Sequence, residues 1–522
     1  LLRIGIDVGG TNTDAVLVEN RTVSAAVKRP TTEDVTEGIV DALEALLRKS
    51  EVEQERVDAV MIGTTHFTNA VVERRGLEKI AAVRIGLPAS RSLPPFSDWP
   101  EDLAALVEGA VFSIEGGHEY DGRPIVPFDT DEMRRVARSI AEHGLTSVAV
   151  TAIFSPLAEE CEETARRILA EEAERANRHL DVTLSRSIGR IGLLGRENAT
   201  LLNAAIVSLA RRATSSFTNA LAEVGMEAPL FITQNDGTVV QASIAEQFPV
   251  FSFASGPTNS MRGASFLSGL DDALVIDVGG TTSDVGMLKS SFPREANNVV
   301  EIGGVRTLFR MPDLLSIGLG GGSLVDARDP VRVGPKSVGY RLTERALVFG
   351  GDTCTATDIA AAGGLVELGD ATSVRALPSD LVERVRERIE DSLFEAVDRM
   401  KTDARPVPLI AVGGAAFLVP PSLAGISRVV RVPYGEVANA VGAAIAQVSG
   451  EVDQVFHGME RDEAIAAATE LACERAVSAG ASRNGVEVVD VDDIPIAYLP
   501  GNARRVHVRV VGEARPGSDT GA

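Results

Sequence analysis

The sequence is poor in cysteine, in aromatic residues and in positive charge. Its three cysteines, Cys161, Cys354 and Cys473, are scattered through 522 residues, which excludes a disulfide-stapled secreted scaffold. Aromatic side chains make up 4% of the chain, and Trp99 is the one tryptophan. Lys and Arg number 51 against 74 Asp and Glu, a formal net charge of −23. Nucleic acid and an anionic membrane surface are therefore unfavourable partners, although a local basic pocket for a phosphorylated ligand remains compatible with this charge. No apolar run reaches the ~18–20 residues that span a bilayer. Leu1-Leu2-Arg3 leads straight into a strand pattern rather than a leader-like apolar stretch, so a soluble, cytoplasmic protein is expected. Gly9-Gly10 lacks the GxGxxG dinucleotide spacing, and there is no GxxxxGK[ST], HExxH or paired CxxC motif.

What is present is 49 glycines and a hydrophobic fraction of 44%, enough for large cores and against global disorder. The length suggests three or four domains of ~100–200 residues. Residues 2–28 read as three short strands with tight connections. A helix is expected over 35–48, capped by Thr32 or Asp34, with Ile39, Ala42, Leu43 and Leu46 as its apolar stripe. Residues 87–128 are rich in Pro, Gly and acidic residues and read as a loop-rich insert with short strands. Regular α/β order then returns, with a long helix over about 196–223. DVGGTNTDAVLV at 7–18 aligns with DVGGTTSDVGML at 277–288, with six of twelve positions identical. A repeat this far apart points to two similar domains rather than a short-period solenoid. The expected boundaries are 1–194, 195–450 with a returning helix at 436–449, and a small C-terminal α/β unit with a frayed tail at 451–522.

The chemistry concentrates at these repeats. In each, a buried strand ends in a carboxylate, Asp7 or Asp277. Gly9-Gly10 and Gly279-Gly280 then allow an unhindered turn, where backbone N–H groups and the hydroxyls of Thr11, Thr13, Thr281 and Thr282 can meet phosphate oxygens. Asp7 could hold Mg2+ through water. The competing reading of one copy is a tight structural hairpin; two copies facing each other could clasp a polyphosphate. Gly413-Gly414-Ala415-Ala416 leaves room for a flat base against the backbone, and Gly320-Gly321 could approach phosphate or simply bend the chain. His66 and His118 could line a substrate or metal pocket, or serve as turn and capping residues. His143, His179, His457 and His507 sit in polar or alternating contexts and read as structural or exposed.

The ordered set Asp7–Asp14, Asp277–Asp284 and Val412–Phe417 resembles the actin, sugar-kinase and heat-shock ATPase superfamily. With Gly63–Ala70, Gly116-Gly117-His118, Gly195–Ala204 and Asn235–Thr238, the chain more closely resembles the A-type, ATP-binding part of the hydantoinase/oxoprolinase family. The resemblance implies an α/β fold of duplicated actin-like (ribonuclease H-like) ATPase domains around a central cleft. It also implies ATP and Mg2+ as cofactors, and phosphorylation of the oxygen of a cyclic amide or imide before ring opening. By resemblance Asp7 and Asp277 hold the Mg2+ through water, and Asp284 orients or deprotonates a nucleophile. Such enzymes often need a B-type subunit, and nothing in this sequence looks like one, so a second protein chain and an oligomer are expected. A small-molecule kinase and a non-catalytic ATP-gated assembly protein are the alternatives.

Overall fold

The computed structural model describes residues 1–9, 12–31, 35–189, 191–296, 300–309, 311–497 and 501–515. Gly10 and Thr11, the expected caps Thr32 and Asp34, and the tail 516–522 lie outside the described residues. The chain opens with strands β1 (Leu2–Val8), β2 (Asn12–Glu19) and β3 (Thr22–Pro30), helix α1 (Val35–Ser50), strand β4 (Ala59–Thr64) and helix α2 (His66–Val72). The predicted stripe of α1 is the face that packs: Ile39, Ala42, Leu43 and Leu46 are fully buried. A second unit follows, with β5 (Ile80–Leu87), α3 (Glu101–Val107), β6 (Glu108–Glu115), α4 (Thr130–Glu142), β7 (Ser147–Ala152), α5 (Glu160–Arg175) and β8 (Asp181–Leu184). Its strands form a parallel sheet in the order β6-β5-β7-β8. The segment read as a loop-rich insert therefore contains a helix and a full strand; its Pro and Gly residues mark the turns between them.

The long helix α6 (Leu193–Glu223) leads to β9 (Leu230–Thr233), β10 (Val239–Gln241) and helix α7 (Ser255–Ser268). The polar cluster at the start of α6 is structural. Glu197 pairs with Arg84 of β5, both buried, and Asn198 bonds Asp98, the Trp99 ring N–H and the Arg306 carbonyl. A second hairpin, β11 (Ala273–Val278) and β12 (Ser283–Lys289), precedes β13 (Leu314–Ile317), helix α8 (Ser379–Met400), β14 (Val407–Val412) and β15 (Ile426–Arg431). In each copy the hairpin's first strand also pairs in parallel with a later strand, β1 with β4 and β11 with β14. This is the architecture of duplicated actin-like ATPase domains.

The returning helix, α9 (Ala438–Ile445), is shorter than the expected 436–449, because the chain turns at Ala446 into β16 (Val448–Phe456). Helix α10 (Arg461–Ser478) and strands β17 (Glu487–Pro495) and β18 (Arg504–Gly512) complete the described chain. The expected boundary at 450 falls inside β16. Among the described residues, β17, β18 and β16 continue the first sheet through β10, β9, β4, β1, β2 and β3. Their apolar face shares one core with residues 2–62. No helix among the described residues is long and apolar enough to cross a membrane.

Helices α7 and α9 cross between the two lobes at backbone contact. A Cβ on Gly263 would stand 1.9 Å from the Ala438 carbonyl oxygen, and one on Gly442 would stand 1.8 Å from that of Asn259. Gly442→Ala is expected to destabilise the chain by ~1–3 kcal/mol or more. The ~1 kcal/mol of helix propensity gained by losing a glycine is too small to offset that clash. A lowered urea midpoint at unchanged m-value is the expected measurement.

Candidate functional site: a carboxylate cleft between two glycine turns

The two turns share one local geometry. The Gly9 N–H donates to the Asn12 carbonyl at 3.0 Å, and the Gly279 N–H to the Thr282 carbonyl at 2.9 Å. Register sets Asp7 opposite Asp14 and Asp277 opposite Asp284. Directly opposed residues share a sheet face, so each hairpin presents two carboxylates. The helix crossing then brings the two pairs near each other. Asn439 of α9 donates to Asp7 Oδ2 at 2.6 Å, and Ser260 of α7 donates to Asp277.

The electrostatics follow from this crowding. Burial pushes Asp7 up to about 7, and the charges of Asp14 and Asp277 add to the shift. Burial also raises Asp277 and Asp14, with Lys28 opposing the shift at Asp14. Lys28 stands opposite Asp14 across β2 and β3 and binds it at 2.8 Å. Among the described residues Asp284 has no such cation: its opposite residue on β13 is Ser316, whose hydroxyl donates to it. Burial lifts Asp284 to about 6, against the hydrogen bond from Ser316. The two copies thus differ: the first has a neutralised second carboxylate, and the second keeps one that titrates near neutrality.

Three glycine segments gather beside Asp277. The Gly321 and Gly322 N–H groups donate to the Gly279 and Gly280 carbonyls at 3.0 and 2.7 Å, and that of Ala415 to Val278 at 2.8 Å. A Cβ on Gly413, whose φ is +91°, would lie 2.2 Å from Asp277 Oδ1, and one on Gly320 would lie 2.6 Å from the Gly279 carbonyl oxygen. Gly414 faces open space, and Thr281 and Thr282 are exposed. These segments are available to a ligand that needs close backbone approach.

Other expected residues are placed differently. Thr13 is buried with its hydroxyl 3.4 Å from that of Thr31, on the face away from Asp7 and Asp14. Its counterpart Ser283 is also turned away, onto the Leu319 carbonyl. Both are hairpin supports, because alternation along the strand sends position 13 and position 14 to opposite faces. His66 opens α2 with its ring exposed, just beyond Thr64, which pairs with Val8. His118 belongs to the second unit: it bridges Pro124 and lies 3.7 Å from Glu160. Among the described residues, neither of these partners belongs to the cleft. Asn439, Ser260, Lys28 and Ser316 were missed, since they come from segments with no motif. Asp14 had a signal, its match to Asp284 in the repeat.

Residues 3–173 match the hydantoinase/oxoprolinase N-terminal region, and residues 196–393 match the hydantoinase/oxoprolinase family proper. The chain belongs to the hydantoinase/oxoprolinase family. It is 23% identical over 462 residues to the acetone carboxylase beta subunit of Xanthobacter autotrophicus, covering 79% of this chain and 62% of that one. It is 23% identical over 469 residues to caprolactamase subunit alpha of Pseudomonas jessenii, covering 79% and 65%. The chain thus spans a little under two thirds of these relatives. Among solved structures, the ATP-dependent caprolactamase of Pseudomonas jessenii superposes with a TM-score of 0.77 at 19% identity, over 98% of this chain and 87% of that one. Nucleotide-free acetone carboxylase superposes with a TM-score of 0.70 at 17% identity, over 99% and 89%. Both share the fold of this family member.

The four carboxylates also suit a hard divalent cation. Asp7 Oδ1 is buried without a hydrogen-bond partner among the described residues, and unneutralised carboxylate oxygen is what Mg2+ takes. Without a cation, the folded chain holds a proton on Asp7 that the unfolded chain releases. Stability therefore falls as pH rises from about 3.8 to about 7, by at most ~4 kcal/mol for a shift of this size. Asp7→Asn is expected to melt several degrees above the wild type at pH 8 and to lose that advantage at pH 5. At pH 8, Mg2+ should raise the wild-type Tm and leave that of the variant nearly unchanged.

Proposed function

We propose that this chain is the nucleotide-binding component of an ATP-dependent enzyme that phosphorylates the carbonyl oxygen of a small substrate, a cyclic amide or imide, before its ring is hydrolysed. The observation that carries this reading is the facing pair of Asp-Val-Gly-Gly hairpins with their converging carboxylates. An amide is a poor electrophile, and its phosphorylated imidate is a good one. Backbone N–H groups of the two glycine turns and the exposed hydroxyls of Thr281 and Thr282 would hold the polyphosphate. Asp7 and Asp277 would hold Mg2+ through water, and the ion would offset phosphate charge.

Asp284, set near 6, is ionised at neutral pH and able to take a proton. It removes the amide N–H proton as the amide oxygen bonds to the γ-phosphorus and ADP leaves. Water then adds to the activated carbon and gives up its proton to the ring nitrogen, which departs as the amine and leaves an acyl phosphate; a second water hydrolyses that to carboxylate and phosphate. Positioning and charge neutralisation supply most of the catalysis in phosphoryl transfer. Relatives such as caprolactamase subunit alpha, 5-oxoprolinase 1 and the acetone carboxylase beta subunit, with the ATP-dependent caprolactamase and acetone carboxylase among solved structures, support ATP-driven activation of a small carbonyl compound. Two of those names denote subunits, which supports a B-type protein partner for this chain.

Purified chain, alone and co-expressed with the product of the neighbouring gene, should be assayed with ATP, Mg2+ and a panel of lactams and hydantoins. ADP, phosphate and an opened ring are expected. A stable phosphorylated metabolite would instead indicate a kinase, and nucleotide-dependent partner binding without turnover an assembly protein. Turnover restricted to ketones with bicarbonate would move the substrate class to the carboxylases. Asp284→Asn should lower kcat by ~10²-fold or more while ATP affinity stays within a few-fold of the wild type.

A further inference from the structure

β18 lies between β16 and β17 at the far end of the first sheet. Val506, Val508 and Val510 point to the face covered by α10 and are fully buried. The opposite face carries Arg505, His507 and Arg509. His507 is 2% exposed, yet neither of its ring nitrogens has a hydrogen-bond partner among the described residues. Three carboxylates border the ring. Glu451 Oε1 lies 3.3 Å from Nε2, while Asp490 Oδ2 and Asp492 Oδ2 lie 3.6 and 3.9 Å from Nδ1.

The neighbouring guanidinium groups are directed elsewhere. Arg505 pairs with Asp453, and Arg509 faces Glu295 at 3.5 Å and Asp236 at 3.7 Å. A buried imidazole with unmet nitrogens, aimed at clustered carboxylates, is the state of a ligand set rather than of a finished ion pair, because buried polar nitrogens ordinarily find partners.

We propose that Asp490, Asp492 and His507 bind a divalent first-row transition ion, separate from the nucleotide cleft. One ring nitrogen and one oxygen from each carboxylate lie within 4.8 Å of one another. Ligands at ~2.0–2.2 Å from such an ion stand ~3–3.5 Å apart, so closure requires movements of less than ~1 Å. Mixed imidazole and carboxylate donors suit Zn2+ or Mn2+, whereas Mg2+ and Ca2+ take oxygen. Glu451 Oε1, on β16, stands 3.3 Å from Nε2, on the side of the ring where the second nitrogen of a metal-bound histidine ordinarily meets a carboxylate. The ion ties the edge strand β17 to β18, and the exposed position of Asp492 leaves room for water in its coordination shell.

The test uses the full chain, stripped with a chelator and dialysed against Zn2+ in millimolar Mg2+. Elemental analysis should find one Zn2+ bound per chain, and Zn2+ should raise the Tm. Asp490→Asn and Asp492→Asn should each weaken Zn2+ binding at least tenfold and abolish the rise in Tm, and His507→Gln should remove binding. Asp492 is exposed, so its substitution leaves the fold intact and carries the test if the buried variant misfolds. A wild-type chain that retains no Zn2+, or Asp490 and Asp492 variants that bind it as well as the wild type, overturns the proposal.

Discussion

The backbone contact between α7 and α9 is the constraint on which the rest of the structure depends. Each helix offers a glycine where the other's peptide passes, Gly263 against Ala438 and Gly442 against Asn259. No larger residue permits that separation. The crossing fixes more than the distance between lobes. Asn259 lies beside Gly63 of β4 and bonds Thr233 of β9, while Ser260 and Asn439 reach Asp277 and Asp7. One packing contact therefore aligns both hairpins, and the carboxylates face each other because their supporting helices touch.

That alignment has an electrostatic cost. Four carboxylates share a region where burial disfavours their charged forms. The chain relieves the first pair with Lys28 and leaves the second with Ser316, a hydroxyl that bonds Asp284 without cancelling its charge. The asymmetry distinguishes two hairpins that are otherwise alike in register and turn geometry. Burial lifts Asp284 in the second lobe to about 6, while burial and the charges of Asp14 and Asp277 lift Asp7 in the first lobe to about 7.

The hairpins were legible in the sequence because their determinants are local. A buried strand, an aspartate and two glycines lie within a few residues, and the repeat doubled the signal. The helix stripe of α1 was legible for the same reason. Asn439 and Ser260 were not, since their roles arise only when α7 and α9 cross, and no periodicity in either segment anticipates a bond to an aspartate, 432 residues away for Asn439 and 17 for Ser260. The C-terminal boundary was misplaced because residues 448–512 carry the pattern of a small α/β unit. That pattern cannot reveal which neighbour the unit's edge strand pairs with. His507 read as structural or exposed in an alternating strand. Its burial depends on β16 and β17 lying on either side, with Glu451, Asp490 and Asp492 turned to the same face.

The first sheet draws its strands from three distant stretches of chain: residues 2–64, 230–241 and 448–512. The second hairpin and the strands paired with it lie wholly between the last two stretches. During synthesis, strands β9 and β10 emerge with one sheet edge bare, and that edge stays bare until some two hundred further residues have left the ribosome. The intervening lobe can collapse first, because its contacts are closer in sequence. Closure of the first lobe is then a late event, and the nascent chain carries an unpaired strand edge throughout that interval. Such an edge is a template for pairing with another chain, which makes this lobe the point at which a folding chain depends most on being kept apart from its neighbours.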